Sequence, residues 1–429
     1  MAQQTAVQFT ESLDLFARAQ DVIAGGSQTA SKRPGAYAYG SYPIYASRAR
    51  GSHIWDVDGN EYIDFVNGLG PIVLGYCYPE VDAAIAEQLN KGIIYGLLSP
   101  LEVAVADSLI DAVPAAEVVR FLKGGAEANN AAARIARAHT KREIILNNGY
   151  RGWSDGWNAD RNDGGIPVAL EPYVKSFRYN DLNHLADLFL AYDNKVAAVV
   201  LDAASLGKEP EPGYLQGLND LAHSNGALVI YDEIVTGFRL AMGGAQEYFG
   251  VTPDLATFAK AMANGMPLAA VVGSREVMQT AADCMISITY GGEALSLAGA
   301  MATMNVMREK NVHEHLYRTG ELLRDGINEA ARRAGVALEA YGLAPIGGER
   351  FLDAKDAEED ALMWHFLLAG CAQRGLLIRR GGVNFITYSH TEDDVAQSVA
   401  AVEDTLHELR RAREGGSLAR AASEAAATS

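Results

Sequence analysis

Two carboxylates and one lysine carry the chemistry that this chain suggests first. The apolar run Leu228-Val229-Ile230-Tyr231 ends at once in Asp232 and Glu233, and after Ile234-Val235 the chain reads Thr236-Gly237-Phe238-Arg239. Pro253-Asp254-Leu255-Ala256-Thr257-Phe258-Ala259 then leads to Lys260, followed by Asn264-Gly265-Met266-Pro267 and a second apolar run, Leu268 to Gly273. Short apolar runs bounded by turn residues read as buried strands. An acid at the end of one strand and a lysine after another would face the crevice at the carboxyl edge of a parallel sheet. The pair suits pyridoxal phosphate, which needs a lysine for a Schiff base and a carboxylate to keep its pyridinium nitrogen protonated. Taken singly, each residue reads more simply, Asp232 as a helix cap and Lys260 as a solvated surface lysine, so the rest of the chain has to discriminate.

The elements that must position these residues alternate. Val118 to Leu122 reads as a strand and runs through Lys123-Gly124-Gly125-Ala126 into an Ala- and Arg-rich helix ending near His139. A glycine pair between strand and helix lets backbone amides converge on an anion, and it also reads as an ordinary tight turn. Glu143 to Leu146 is the next strand, and the loop after it carries Tyr150-Arg151-Gly152-Trp153. Those aromatics suit the face of a planar ring or core packing. Val196 to Leu201 is a continuous buried strand ending at Asp202, and Leu215 to Ser224 is a helix. Alternation from about residue 116 to 273 predicts a mostly parallel sheet covered by helices.

Outside that region, Ser12 to Ile23 has helical spacing, and Gly26 to Gly40 reads as a loop that could touch substrate. Ile44 to Phe65 reads as an antiparallel unit turning at Asp58-Gly59-Asn60, with His53 in a structural role. A long helix, Val312 to Ala334, leads to short strands at 337–341, 350–352, 376–378 and 384–388. A capped helix from Thr391 to about Arg411 follows. His390 reads as a loop or cap residue. The expected organisation is an N-terminal segment 1–68 packing with the small domain, a large domain 69–310, a small α+β domain 311–412, and a disordered tail 413–429.

Composition narrows the class. The chain has 429 residues and a formal net charge of −18, which disfavours nucleic acid and anionic membranes as partners. Cys77, Cys284 and Cys371 match no metal spacing, so no metal is expected and a reducing, cytoplasmic setting is. The first ten residues show no secretory pattern, and no apolar run reaches transmembrane length.

From residue 12 to about 410 the chain resembles the class III aminotransferases, fold-type-I pyridoxal phosphate enzymes that include glutamate-1-semialdehyde aminomutase. The segments that carry the likeness are Val57 to Asp64, Gly125-Ala126-Glu127-Ala128, Gly149 to Gly152, Asp232 to Arg239, and Lys260 with Asn264 to Leu268, in that order. The resemblance implies an α/β fold with a large cofactor domain and a small C-terminal domain. It implies that Lys260 forms the Schiff base and shuttles protons, and that Asp232 pairs with the pyridinium nitrogen. Ile234 and Tyr150 would cover the two ring faces, and Gly124, Gly125 and Ala126 would hold the phosphate. Thr289 would reach the phosphate of a neighbouring subunit, which implies a homodimer. Arg239, Arg379 and Arg380 are candidates to hold a donor carboxylate, with an ion pair near Glu233 an equal reading for Arg239.

Departures from the family mark a specialised branch. The phosphate loop lacks the hydroxyls common among relatives. Arg151 replaces the histidine of Tyr-His-Gly, Gly292-Glu293-Ala294 replaces Gly-Asn-Pro, and Asp202 stands in the place of a glutamate. The expected reaction is ping-pong transfer from an amino donor to a carbonyl acceptor, amino-sugar- or aminocyclitol-like or another small compound of specialised metabolism, with antibiotic biosynthesis as the expected setting. An aminomutase or epimerase using the same Lys260 is the alternative. A non-catalytic protein on this fold is disfavoured by retention of both Lys260 and Asp232.

Overall fold

The computed structural model describes residues 7–159, 164–204, 207–381 and 384–419. Three short strands come first: β1 (Ala46–Arg50), β2 (His53–Asp56) and β3 (Glu61–Asp64). Seven follow: β4 (Val118–Leu122), β5 (Ile144–Asn147), β6 (Val174–Ser176), β7 (Val196–Leu201), β8 (Leu228–Asp232), β9 (Leu255–Phe258) and β10 (Ala269–Gly273). The last are β11 (Leu338–Tyr341), β12 (Gly348–Phe351) and β13 (Leu376–Leu377). The chain divides into two compact units: Gly70–Val73 with Pro79–His313, and Met1–Leu69 with Leu74–Tyr78 and Glu314–Ser429.

The larger unit is built on a seven-stranded sheet in the order β4-β10-β9-β8-β7-β5-β6. Its central strands are mostly apolar, with Thr257 in β9 and Asp232 at the end of β8 as exceptions, and β7, β9 and β10 are buried at every position, as strands covered on both faces must be. All pairings are parallel except those of β10, which runs antiparallel between β4 and β9. The reason is local. A parallel partner needs a crossover of a dozen or more residues, whereas Lys260 to Pro267 is a tight turn that returns the chain directly. The helix Gly125–Thr140 lies on this sheet through Ala128, Ala131, Ala132, Ala133, Ile135 and Ala136, all buried. Its short alanines let the helix approach closely.

The smaller unit contains a sheet in the order β1-β2-β3-β13, antiparallel except for the parallel β3–β13 pair, and the antiparallel hairpin β11–β12. The stretch Asn384 to Tyr388, expected as a strand, is irregular. Its polar groups are satisfied one by one instead: Phe385 N–H donates to Phe65 O, and Asn384 Nδ2 donates to both Glu349 carboxylate oxygens. The final helix runs Glu392–Glu414 behind a Thr391 capping box. The tail expected to be disordered therefore begins helical, and Leu418 is buried. Its residues 420–429 lie outside the described residues, as do the first six on which the reading of the N-terminus drew. No described helix is long and apolar enough to cross a membrane.

His53 ties β2 to that capped helix. Its Nε2 lies 3.1 Å from Asp394 Oδ1 and its Nδ1 2.9 Å from Glu61 Oε1. The hydrogen bond to Asp394, opposed by burial and aided by the charges of Asp394 and Glu61, raises the imidazole pKa. A pKa raised in the folded state means stability that is complete below the unfolded value of about 6.5 and is lost as pH rises through the folded value. Thermal melts should therefore show His53→Gln costing more stability below about pH 6 than above about pH 8. An equal cost at both would remove the ionic role.

Candidate active site

The carboxyl ends of β5, β7, β8 and β9 gather the reactive groups. Asp232 closes β8, and its register partner on β9 is Thr257. Lys260 follows three residues after Thr257, so acid and lysine leave neighbouring parallel strands on the same edge of the sheet. Asp232 is buried, and its carboxylate is held by three donors. Asn129 Nδ2 and Arg151 Nη1 each lie 2.9 Å from Oδ2, and Ile234 N–H donates to Oδ1 at 3.0 Å. Asn129 is fixed in turn by Thr257 Oγ1, which donates to its Oδ1 at 2.8 Å. Arg151 is 3% exposed and also donates to the carbonyls of Tyr150 and Asn148. A carboxylate has room for about four hydrogen bonds, so one acceptor direction of Asp232 remains for a ring nitrogen.

Lys260 has φ +46, in the left-handed region that residues with a Cβ seldom adopt. Strain of this kind persists only where the surroundings enforce it, and it clusters at functional sites. The enforcement is visible beyond the lysine: Asn264, also left-handed, accepts the Val73 N–H through Oδ1 at 3.0 Å. Asp202 follows β7. Burial pushes its pKa up to about 7, with Arg151 and Lys260 opposing the rise and Asp232 and Glu233 adding to it.

At the start of the helix Gly125–Thr140, Glu127 Oε2 accepts the N–H groups of Lys123 and Gly124, each at 3.0 Å. The first turn of a helix cannot satisfy its own N–H groups, which leaves those of Gly125 and Ala126 for an anion. A Cβ on Gly125 would lie 2.6 Å from Ile234, so the cradle and the residue beside Asp232 fit together only with glycine there. Lys123 Nζ pairs with Glu293 at 2.9 Å, in the stretch that also carries the exposed Thr289. The residues present fit pyridoxal phosphate: an amine for its aldehyde, a fixed carboxylate for its ring nitrogen, and helix-terminal amides for its phosphate.

Other expected site residues are placed differently. Tyr150 stands beside Arg151 and is 64% exposed. Arg239 corrects the sequence reading: it is fully buried, and its Nη2 donates to the carbonyls of Gly70 and Ile72 at 2.9 and 3.0 Å. Its work is to pin that segment, and burial lowers its pKa to about 9. Glu233 is held instead by Thr236 and by the amides of Ala245 and Gln246. In the smaller unit Arg380 pairs with Asp360 at 2.9 Å. Arg379 makes no ion pair among the described residues, and its Nε is buried without a hydrogen-bond partner. Burial raises the pKa of Tyr37, and the Arg379 charge pulls it back. Tyr37 lines a cavity of about 420 Å³ together with Lys32, Tyr42, Tyr62 and Tyr76.

The sequence reading missed Asn129, Thr257 and Glu127. The signal for Asn129 was available: an asparagine on the apolar, alanine-lined face of a helix is a buried amide that needs partners.

The profile of the family described as aminotransferase class-III matches residues 35–406. The 3-aminobutyryl-CoA aminotransferase of Cloacimonas acidaminovorans is 32% identical over 412 residues, covering 94% of this chain and 99% of that protein. The glutamate-1-semialdehyde 2,1-aminomutase of Desulforamulus reducens is 33% identical over 422 residues, covering 92% and 97%. Among solved structures, the FumI protein of Sphingopyxis sp. MTA144 in its PLP internal aldimine form superposes with a TM-score of 0.88 at 29% identity, covering 94% of this chain and 98% of that one. The chain belongs to the class III aminotransferases. Its fold is that of the fold-type-I enzymes, and its cofactor is pyridoxal phosphate.

One glycine tests the site's construction. Gly152 has φ +113, and a Cβ there would fall 2.4 Å from Ala126 Cβ and 2.9 Å from its Cα. Gly152→Ala should destabilise the protein by about 2 kcal/mol or more and speed cofactor loss, because it drives the Arg151 loop into the phosphate cradle. Unfolding midpoints and the rate of cofactor release check both effects.

Proposed function

We propose that the chain is an aminotransferase that moves an amino group from an amine donor to a small carbonyl acceptor in two half-reactions. The observation that carries the reading is Lys260 and Asp232 leaving neighbouring parallel strands, with Asp232 held by three hydrogen bonds.

Bound pyridoxal phosphate supplies an aldehyde carbon for exchange of amines and a cationic ring that draws electrons from the substrate carbon. Lys260 Nζ anchors the group and, once free, takes and returns the proton at the substrate carbon. Asp232 orients the ring and holds the proton on its nitrogen. Ile234 and Tyr150 would bracket the ring, and the amides of Gly125 and Ala126 would receive the phosphate, while the expected Gly124 amide is already held by Glu127. Thr289 reaches the phosphate of a second subunit. An apolar surface supports that dimer: Leu97, Leu98 and Met285 are each more than four-fifths exposed, and Ala294 N–H donates to Ile93 O, joining the two stretches that carry them. Free Cys77, Cys284 and Cys371 support a cytoplasmic setting. Of the arginines, Arg379 is the one we assign to a donor carboxylate, since Arg239 and Arg380 have other partners.

For the substrate, the two named relatives support an amine that is not restricted to an α-carbon: one name specifies a 3-amino acyl thioester, the other a 2,1 shift of an amino group. An amino-sugar-like acceptor is a narrower form of this reading and rests on the motif departures alone. The aminomutase relative favours a second reading, in which nitrogen moves within one molecule.

Absorbance spectra with amines added singly separate the two. A transaminase should convert fully to the pyridoxamine form with one donor and release a carbonyl product. An isomerase should return to the aldehyde form and need no external donor. Lys260→Ala should lose the visible band of lysine-bound cofactor, and a band unchanged in that variant would defeat both readings. For Arg379→Ala, the KM of a carboxylate-bearing donor should rise about tenfold or more while that of a simple amine stays level.

A further inference from the structure

Arg151 occupies the position where many relatives have histidine, and the difference is electrostatic. A histidine can be neutral, whereas a guanidinium keeps its charge in any protein setting. Here the side chain is almost wholly enclosed, at 1% exposure, and it sits 2.9 Å from Oδ2 of Asp232. Nη1 also donates to the Tyr150 carbonyl and Nη2 to that of Asn148, so both ends of the guanidinium are tied down while Nε, buried, has no hydrogen-bond partner.

The geometry points to Arg151 as a positioning residue that sets how strongly the site holds the ring nitrogen of pyridoxal phosphate. It fixes the Asp232 carboxylate in place and supplies a permanent counter-charge, so the ring nitrogen meets an anion that is already paired. The inference rests on the reading of Asp232 as the partner of that nitrogen.

The consequence follows from what an unpaired buried carboxylate costs. In a site where the ring is the only cation facing the carboxylate, replacing the ring N–H with C–H strands a buried negative charge, and binding falls steeply. With Arg151, Asn129 and the Ile234 amide in place, Asp232 keeps three partners when the ring nitrogen is removed, and the loss is small. The other charged groups nearby, Asp202, Glu233 and Lys260, are the same in the unaltered protein and in an Arg151 variant, so their effects cancel when the two proteins' preferences are compared.

The experiment measures the affinity of the cofactor-free full-length protein for pyridoxal phosphate and for its 1-deaza analogue, in which C–H replaces the ring nitrogen. Both carry the same aldehyde and phosphate. The unaltered protein should prefer pyridoxal phosphate by about tenfold or less, and Arg151→Gln should raise that preference by at least about tenfold. Arg151→Lys, which keeps the charge, should keep the low preference. A preference of about a hundredfold or more in the unaltered protein overturns the proposal, and this arm needs no variant that might fail to fold. An unchanged ratio in a folded Arg151→Gln protein also overturns it. Asp232→Asn, made in whichever protein shows the larger preference, tells the two readings apart: a ratio that falls toward one keeps Asp232 as the partner of the ring nitrogen whatever Arg151 does, and a ratio that stays high means Asp232 does not meet that nitrogen, so the proposal falls with the reading it rests on.

Discussion

A buried negative charge is the constraint around which the larger unit is arranged. Removing a carboxylate from water costs several kcal/mol unless it is paired and hydrogen-bonded. Asp232 meets that requirement with partners from separate parts of the chain: an amide on the helix Gly125–Thr140, a guanidinium on the loop after β5, and the peptide N–H of Ile234. Thr257 on β9 then orients the amide. The helix, the β5 loop, β8 and β9 must all be in register for the charge to be tolerated. The same four elements also define where a cofactor ring could sit, so folding correctly and forming the site are one requirement.

The second constraint is on the backbone. Lys260 begins the turn before β10 and Asn264 caps its first 3-10 segment, and both are left-handed. That turn reverses the chain and makes β10 the antiparallel exception in the sheet. Asn264 and Arg239 both reach the segment Gly70–Val73, one through the Val73 amide and one through the carbonyls of Gly70 and Ile72. A residue suspected of binding substrate is thus part of the brace behind the lysine. Its burial explains why its pKa falls rather than rises.

Much of this was legible in the sequence, for physical reasons that differ by element. The buried strands β7 and β8 announce themselves as unbroken apolar runs, and the acid and lysine stand out because each ends such a run. The helix cap at Thr391 is written in local spacing. What failed was whatever depends on a partner distant in sequence. Arg239 reads as a holder of a donor carboxylate or a partner of Glu233 until Gly70 and Ile72 are seen to accept from it. Arg151 read as a departure from a motif, with no sign that its charge lands on Asp232. Asn384 to Tyr388 alternates like a strand, but Glu349 and Phe65 capture its polar groups separately. Asn129 and Glu127 are single polar residues whose roles exist only once the helix start is in place.

The smaller unit has a further property that concerns synthesis. Its first strands come from the beginning of the chain and their partners from the end: Asn67 Nδ2 donates to Phe385 O, 318 positions away, and β3 pairs with β13. As the ribosome delivers the chain, β3 emerges with one edge bare and must wait until β13, more than 300 residues later, has been made. The larger unit, continuous from Pro79 to His313 apart from one short piece, is complete long before. Domains generally fold as units in order of emergence, and unpaired strand edges are where nascent chains associate wrongly. A truncated message would therefore yield a protein with its lysine and its buried acid in place and a sticky, half-built neighbour.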